Sequence, residues 1–71
     1  MSPDKLVYMA NQIGKFFAHQ PHAQAVAAIA NHVEKFWDPR MRREMLAHLS
    51  AVQLDPSVRE AMESLKPPHR S

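Results

Sequence analysis

Five histidines, seven carboxylates and a short run of arginines are the side chains here with the most chemical potential. Neutral imidazole is a common metal ligand, so a metal site is the first thing to test. His19 and His22 flank a proline-containing turn, His32 and His48 fall on separate predicted helices, and His69 lies near the end. None belongs to a pair of histidines four apart with an adjacent acid, the spacing that sets two ligands and a base on one helix face. No cysteine is present to complete a zinc or iron–sulfur set. The histidines therefore read as turn and surface residues, and no metal site is assigned. Nucleophilic chemistry has no better footing. Ser2, Ser50, Ser57 and Ser71 stand at predicted caps, a helix end and the terminus, without a nucleophile elbow around them. Gly14 is the one glycine, so there is no glycine-rich loop to cradle phosphate. No residue is assigned a catalytic role.

The informative segment is Phe36-Trp37-Asp38-Pro39-Arg40-Met41-Arg42, followed by Arg43. Its structural reading has Phe36 and Trp37 anchoring a core, Asp38 capping a helix, Pro39 opening it, and the arginines facing water. The functional reading makes Trp37, Arg40, Met41, Arg42 and Arg43 a partner-binding surface, because Trp, Met and Arg are enriched at protein interfaces. Three arginines in the first turns of a helix also oppose its dipole, which favours negative charge at that end. An acidic partner would relieve that conflict. A second functional reading takes Lys35, Trp37, Arg40, Arg42 and Arg43 as a nucleotide site, with cations on phosphate and an aromatic face under the base. No nucleotide motif accompanies them. Met9, Met41, Met45 and Met62 suit either plain core or an adaptable contact.

Four helices are predicted to position these residues. Ser2-Pro3, Asp38-Pro39 and Asp55-Pro56 each place a capping side chain before a proline, and Gln20-Pro21 is a weaker version of the same start signal. The apolar rhythm of one helical face appears in Leu6, Met9, Ala10, Ile13, Phe16 and Phe17, and again in Val26, Ile29, Ala30, Val33, Phe36 and Trp37. Met41, Met45, Leu49 and Val52 line a third helix, and Val58, Ala61, Met62 and Leu65 a fourth, ended by Pro67-Pro68. Nothing alternates with the period of a strand. The chain reads as all-α: a small bundle of three to four helices with short proline-marked connections, one domain over 1–66 and a disordered tail over 67–71. Short connections predict that successive helices pack antiparallel as neighbours. An internal echo, Ala10-Asn11-Gln12-Ile13-Gly14-Lys15-Phe16-Phe17 against Ala30-Asn31-His32-Val33-Glu34-Lys35-Phe36-Trp37, predicts two helices presenting the same stripe to each other across a hairpin.

Composition narrows the function classes. A core this small contributes only about 3–5 kcal/mol unless stapled, and without cysteine the staple has to be helix packing, self-association or a larger partner. The net charge is +2, spread evenly about Trp37, which argues against a nucleic-acid domain. Helices at 23–36 and 39–51 would mimic a helix-turn-helix only loosely, since no glycine turn joins them. No apolar run approaches the roughly 20 residues of a membrane span, and Met1-Ser2-Pro3-Asp4-Lys5 lacks the features of a signal peptide. A soluble, cytoplasmic protein is expected.

A family resemblance enters at the same segments. Lys5-Leu6-Val7-Tyr8-Met9-Ala10-Asn11-Gln12-Ile13 with Phe16-Phe17, and then Phe36-Trp37-Asp38-Pro39-Arg40-Met41-Arg42, resemble the delta subunit of NAD-dependent, molybdenum-containing formate dehydrogenases. The likeness covers roughly residues 3 to 50. Leu54, Pro56 and Val58 resemble the family's weaker C-terminal segment, although Ala51-Val52-Gln53 stands where glycine often enriches the connection. The resemblance implies a complex that oxidises formate to carbon dioxide and reduces NAD. It places the molybdenum-bis-pterin guanine dinucleotide, iron–sulfur clusters, FMN and NAD in the larger subunits. It also implies a non-catalytic accessory role for this chain, supporting assembly, stability or cofactor loading, with the molybdenum-containing alpha subunit as chief partner and self-association left open. The alternative is a maturation factor binding the guanine nucleotide portion of the molybdenum cofactor, or free GTP or GDP.

Overall fold

The computed structural model describes residues 2–66. They form α1 (Pro3–Phe16), α2 (His22–Phe36), α3 (Pro39–Ala47) and α4 (Pro56–Ser64), with no strand among the described residues. The all-α reading is correct. The tail expected over 67–71 lies outside the described residues.

Proline marks the helix starts, but the caps differ from expectation. Pro3, Pro39 and Pro56 each occupy the first helical turn, where the missing N–H leaves nothing unpaired. Only Asp38 caps through its side chain, accepting from the Met41 N–H at 2.8 Å; Ser2 and Asp55 make no such bond. Asp55 donates its backbone N–H instead to Asn11 Oδ1, 3.0 Å away on α1. The second helix begins one residue late, with Pro21 as its N-cap in extended conformation and His22 as its first helical residue.

The corner between α2 and α3 is as tight as the sequence predicts. Trp37 (φ −87, ψ 137) and Asp38 (φ −75, ψ 165) are both extended. Pro39 enforces this at Asp38, since its ring disfavours a helical predecessor. Helix α3 is shorter than the predicted Pro39–Ala51 and stops at Ala47. Beyond it the backbone tightens into three-residue turns, with His48 N–H donating to Met45 C=O, Leu49 N–H to Leu46 C=O and Ala51 N–H to His48 C=O. Arg59 of α4 holds this connection, its guanidinium donating to Leu49 C=O (2.7 Å) and Val52 C=O (2.5 Å).

Neighbours in sequence are not the main neighbours in space. The most extensive packing joins α2 to α4, whereas α1 approaches α2 only slightly. The predicted α1–α2 hairpin is therefore corrected. Small side chains buried on α2 and α4, Ala25 and Ala61, suit a close approach of those two axes. Helix α1 crosses α4 at Gly14, where a Cβ would collide with Val58 Cγ2. The core gathers Leu6 and Ala10 from α1, Ile29 and Val33 from α2, Met45 from α3, and Val58, Ala61 and Met62 from α4. Trp37 and Leu49 complete it from the connections, and no polar or charged residue is buried among those described.

Candidate functional site: an aromatic groove and a basic corner

Because α1 and α2 part company, a groove lies open between them. Three adjoining depressions form it, the largest about 350 Å³ and lined by Tyr8, Met9 and Ile13 from α1, His32 and Phe36 from α2, and Met41 from α3. It runs on past Phe16 and Phe17 at one end and past Lys5 at the other. The aromatic rings make a connected chain. Phe16 meets Phe17 edge-on at 5.0 Å, Phe17 lies 6.4 Å from the His32 ring, and His32 tilts against Phe36 at 4.7 Å. These separations suit favourable aromatic pairing.

The echo explains which ring faces where. In α2 the buried residues fall every four positions: Ala25, Ile29, Val33, then Trp37 at the corner. Phe36 precedes that row by one position, about 100° around the helix, and points outward. Trp37 is 4% exposed and Phe36 71%. The same holds in the first copy, where Phe17 is half-buried against the core and Phe16 is 72% exposed. Phe36, expected to anchor the core, and Phe16, expected on the apolar face of the first helix, are instead on the surface, with Tyr8 at 66%. Adjacent helical residues lie about 100° apart, so a narrow buried row takes one of each aromatic pair.

The basic corner divides in two. Arg42 does not face water. It is half-buried, and its Nη1 donates to Trp37 C=O at 2.7 Å and Glu34 C=O at 3.1 Å. It thus caps the carbonyl end of α2, so the charge that opposes the dipole of α3 complements that of α2. Arg40, Arg43 and Lys35 are exposed, and Met41 is half-buried between the corner and the groove. Arg40 shares a shallow depression with Asp38 and Glu44, so carboxylates stand beside the guanidinium.

The five residues of the nucleotide set are not brought into one cradle. Trp37 offers no exposed face for a base, and Arg42 is occupied by backbone carbonyls. The described histidines are likewise scattered: His22 pairs with Glu60 across α2 and α4 at 2.8 Å, His48 sits beside Glu44, and His32 is in the groove. Among the described residues no three metal-ligating side chains converge.

Against known families, the model of the NADH-dependent formate dehydrogenase delta subunit, FdsD, matches residues 5–62. The chain belongs to this family. No curated protein and no solved structure matches it. The FdsD match takes in both copies of the echo, the groove, the basic corner and most of α4. Three residues that hold the fold have roles that spacing and residue type did not single out: Gly14 at the α1–α4 crossing, Arg59 on the Leu49 and Val52 carbonyls, and Asn11. Asn11 pairs with the 53–55 connection in both directions, donating to Gln53 C=O at 3.3 Å and accepting from Asp55 N–H. Each acts on partners seven or more residues away in the chain, which helical periodicity does not report. No described helix is long and apolar enough to cross a membrane.

Proposed function

We propose that this chain is a non-catalytic accessory subunit of a cytoplasmic NAD-dependent formate dehydrogenase. It docks on the large molybdenum-containing subunit and supports assembly, stability or cofactor loading there. The observation that carries this reading is the open groove. Three aromatic side chains remain largely in water on a chain too small to bury them, and exposed apolar surface of this kind marks a protein-binding site. The family match supplies the complex in which the partner is found.

The complex's cofactors do not fit the residues of this chain. Iron–sulfur clusters need thiolates, and there is no cysteine. A pterin guanine dinucleotide needs convergent phosphate ligands and a base platform, whereas Arg40 is flanked by Asp38 and Glu44 and Trp37 is buried. Formate oxidation is accordingly assigned to the larger subunits.

The test is to produce the larger subunits with and without this chain and compare molybdenum content and formate-dependent NAD reduction. With the chain absent, cofactor content or assembled complex falls, and the purified chain alone reduces no NAD. Full assembly, full molybdenum loading and full turnover in its absence would remove the accessory role.

A further inference from the structure

We infer that the α1–α2 groove receives an amphipathic helix of about three turns from the larger catalytic subunit, one whose apolar face is flanked by Asp and Glu. The inference rests on the accessory reading above and adds the place and chemistry of the contact.

Length sets the occupant's size. The groove follows α1 from Lys5 to Phe16, eleven steps that span about 16 Å, the length of three helical turns. Polarity sets its secondary structure. Along the central and aromatic parts of the groove, Gln12, His32 and the Tyr8 hydroxyl are the exposed polar groups present, so an extended segment would leave most of its N–H and C=O groups without partners. A helix satisfies its own backbone and brings apolar side chains at i, i+3, i+4 and i+7 to Phe16, Phe36 and Met9.

Charge sets the flanks. Among the described residues Lys5, Lys15, Lys35, Arg40 and Arg43 take part in no ion pair, and all five are on α1, the end of α2 or the start of α3. On the same elements Asp4 and Glu34 are the carboxylates with neither an ion pair nor a capping role; Asp38 caps α3 and Glu44 faces His48. Of the three acids after residue 47, by contrast, two are engaged through their carboxylates, Glu60 with His22 and Glu63 with Lys66, while Asp55 makes the Asn11 contact through its backbone N–H. The elements that form the groove therefore carry an excess of positive charge, with Lys5 lining the groove beside Asp4 and Arg40 set beside Asp38 and Glu44. A second copy of this chain is a poor occupant, because a two-fold contact through this face would set those five cations against the same five.

The decisive experiment places a photocrosslinking amino acid at Phe16, at Phe36, and at Glu63 on exposed α4, each in the assembled complex. All three positions are solvent-facing, so the fold tolerates the change. Crosslinks from positions 16 and 36, and not from 63, should map to one helical segment of the larger subunit with acidic residues beside an apolar stripe. A synthetic peptide of that segment should bind the free chain, and its amide counterpart (Asp→Asn and Glu→Gln throughout) should bind roughly ten-fold more weakly at low salt. Crosslinks from position 36 to a second copy of this chain, or to a segment without acids, overturn the inference. Crosslinks from position 63 alone overturn the groove and leave the accessory role standing. Failure of the chain to co-purify with the larger subunits removes the accessory role itself.

Discussion

Arg42 carries the clearest lesson at the scale of single residues. By sequence it is one of three arginines on an unfavourable helix end; in space it closes the end of another helix through Trp37 and Glu34 carbonyls. Arg42→Ala should destabilise the free chain by about 1–2 kcal/mol, since two hydrogen bonds from a charged donor and a favourable dipole contact disappear together. In a domain this small that lowers the melting temperature by roughly 4–8 °C per kcal/mol. Exposed Arg43→Ala should change stability by no more than about 0.5 kcal/mol. Circular-dichroism melts of the two variants check the contrast, and equal effects would deny Arg42 its capping role. Trp37 makes the complementary point: its size is used to fill the corner, and its neighbour Phe36 presents the interface.

At the scale of elements, the fold depends on where α1 meets α4. Gly14→Ala adds helix propensity worth up to about 1 kcal/mol. It also drives a methyl group into Val58 Cγ2, and overpacking of this sort typically costs about 1–3 kcal/mol. We expect a net loss of about 1–2 kcal/mol. Removing the obstacle should recover part of it: Gly14→Ala with Val58→Ala should be more stable than the sum of the two single changes predicts. A denaturant-based double-mutant cycle measures this, and strict additivity would mean the helices do not touch there. The echo belongs to the same scale. Its two copies orient their aromatics alike, yet they build a groove rather than a hairpin core, because α2 spends its buried row on α4.

For the whole molecule, the apolar core is the main stabilising store among the described residues, with neither a disulfide nor a buried ion pair beside it. The free chain should unfold at about 3–5 kcal/mol. Because the groove is argued to suit an acidic partner and not a second copy, its urea midpoint should stay constant across a hundred-fold range of protein concentration, while assembly into the complex should raise its melting point. A midpoint that climbs with concentration would make a homo-oligomer the stable unit.

Much of this was legible from residue order alone. Pro3, Pro39 and Pro56 fixed three helix starts, the 3.6-residue rhythm gave four amphipathic segments, and the Asp38-Pro39 pair forced a sharp corner, since each of these is a local steric or periodic constraint. The family likeness was also written in contiguous residues, from Lys5 to Phe17 and through Trp37 to Arg42. Tertiary structure decided the partners: that α2 prefers α4, that Gly14 lets α1 and α4 cross, that Arg42 closes the end of α2 and Arg59 the connection after α3, and that Phe16 and Phe36 face outward. Those outcomes depend on which faces meet and how closely, and periodicity along one chain contains no distance between two helices.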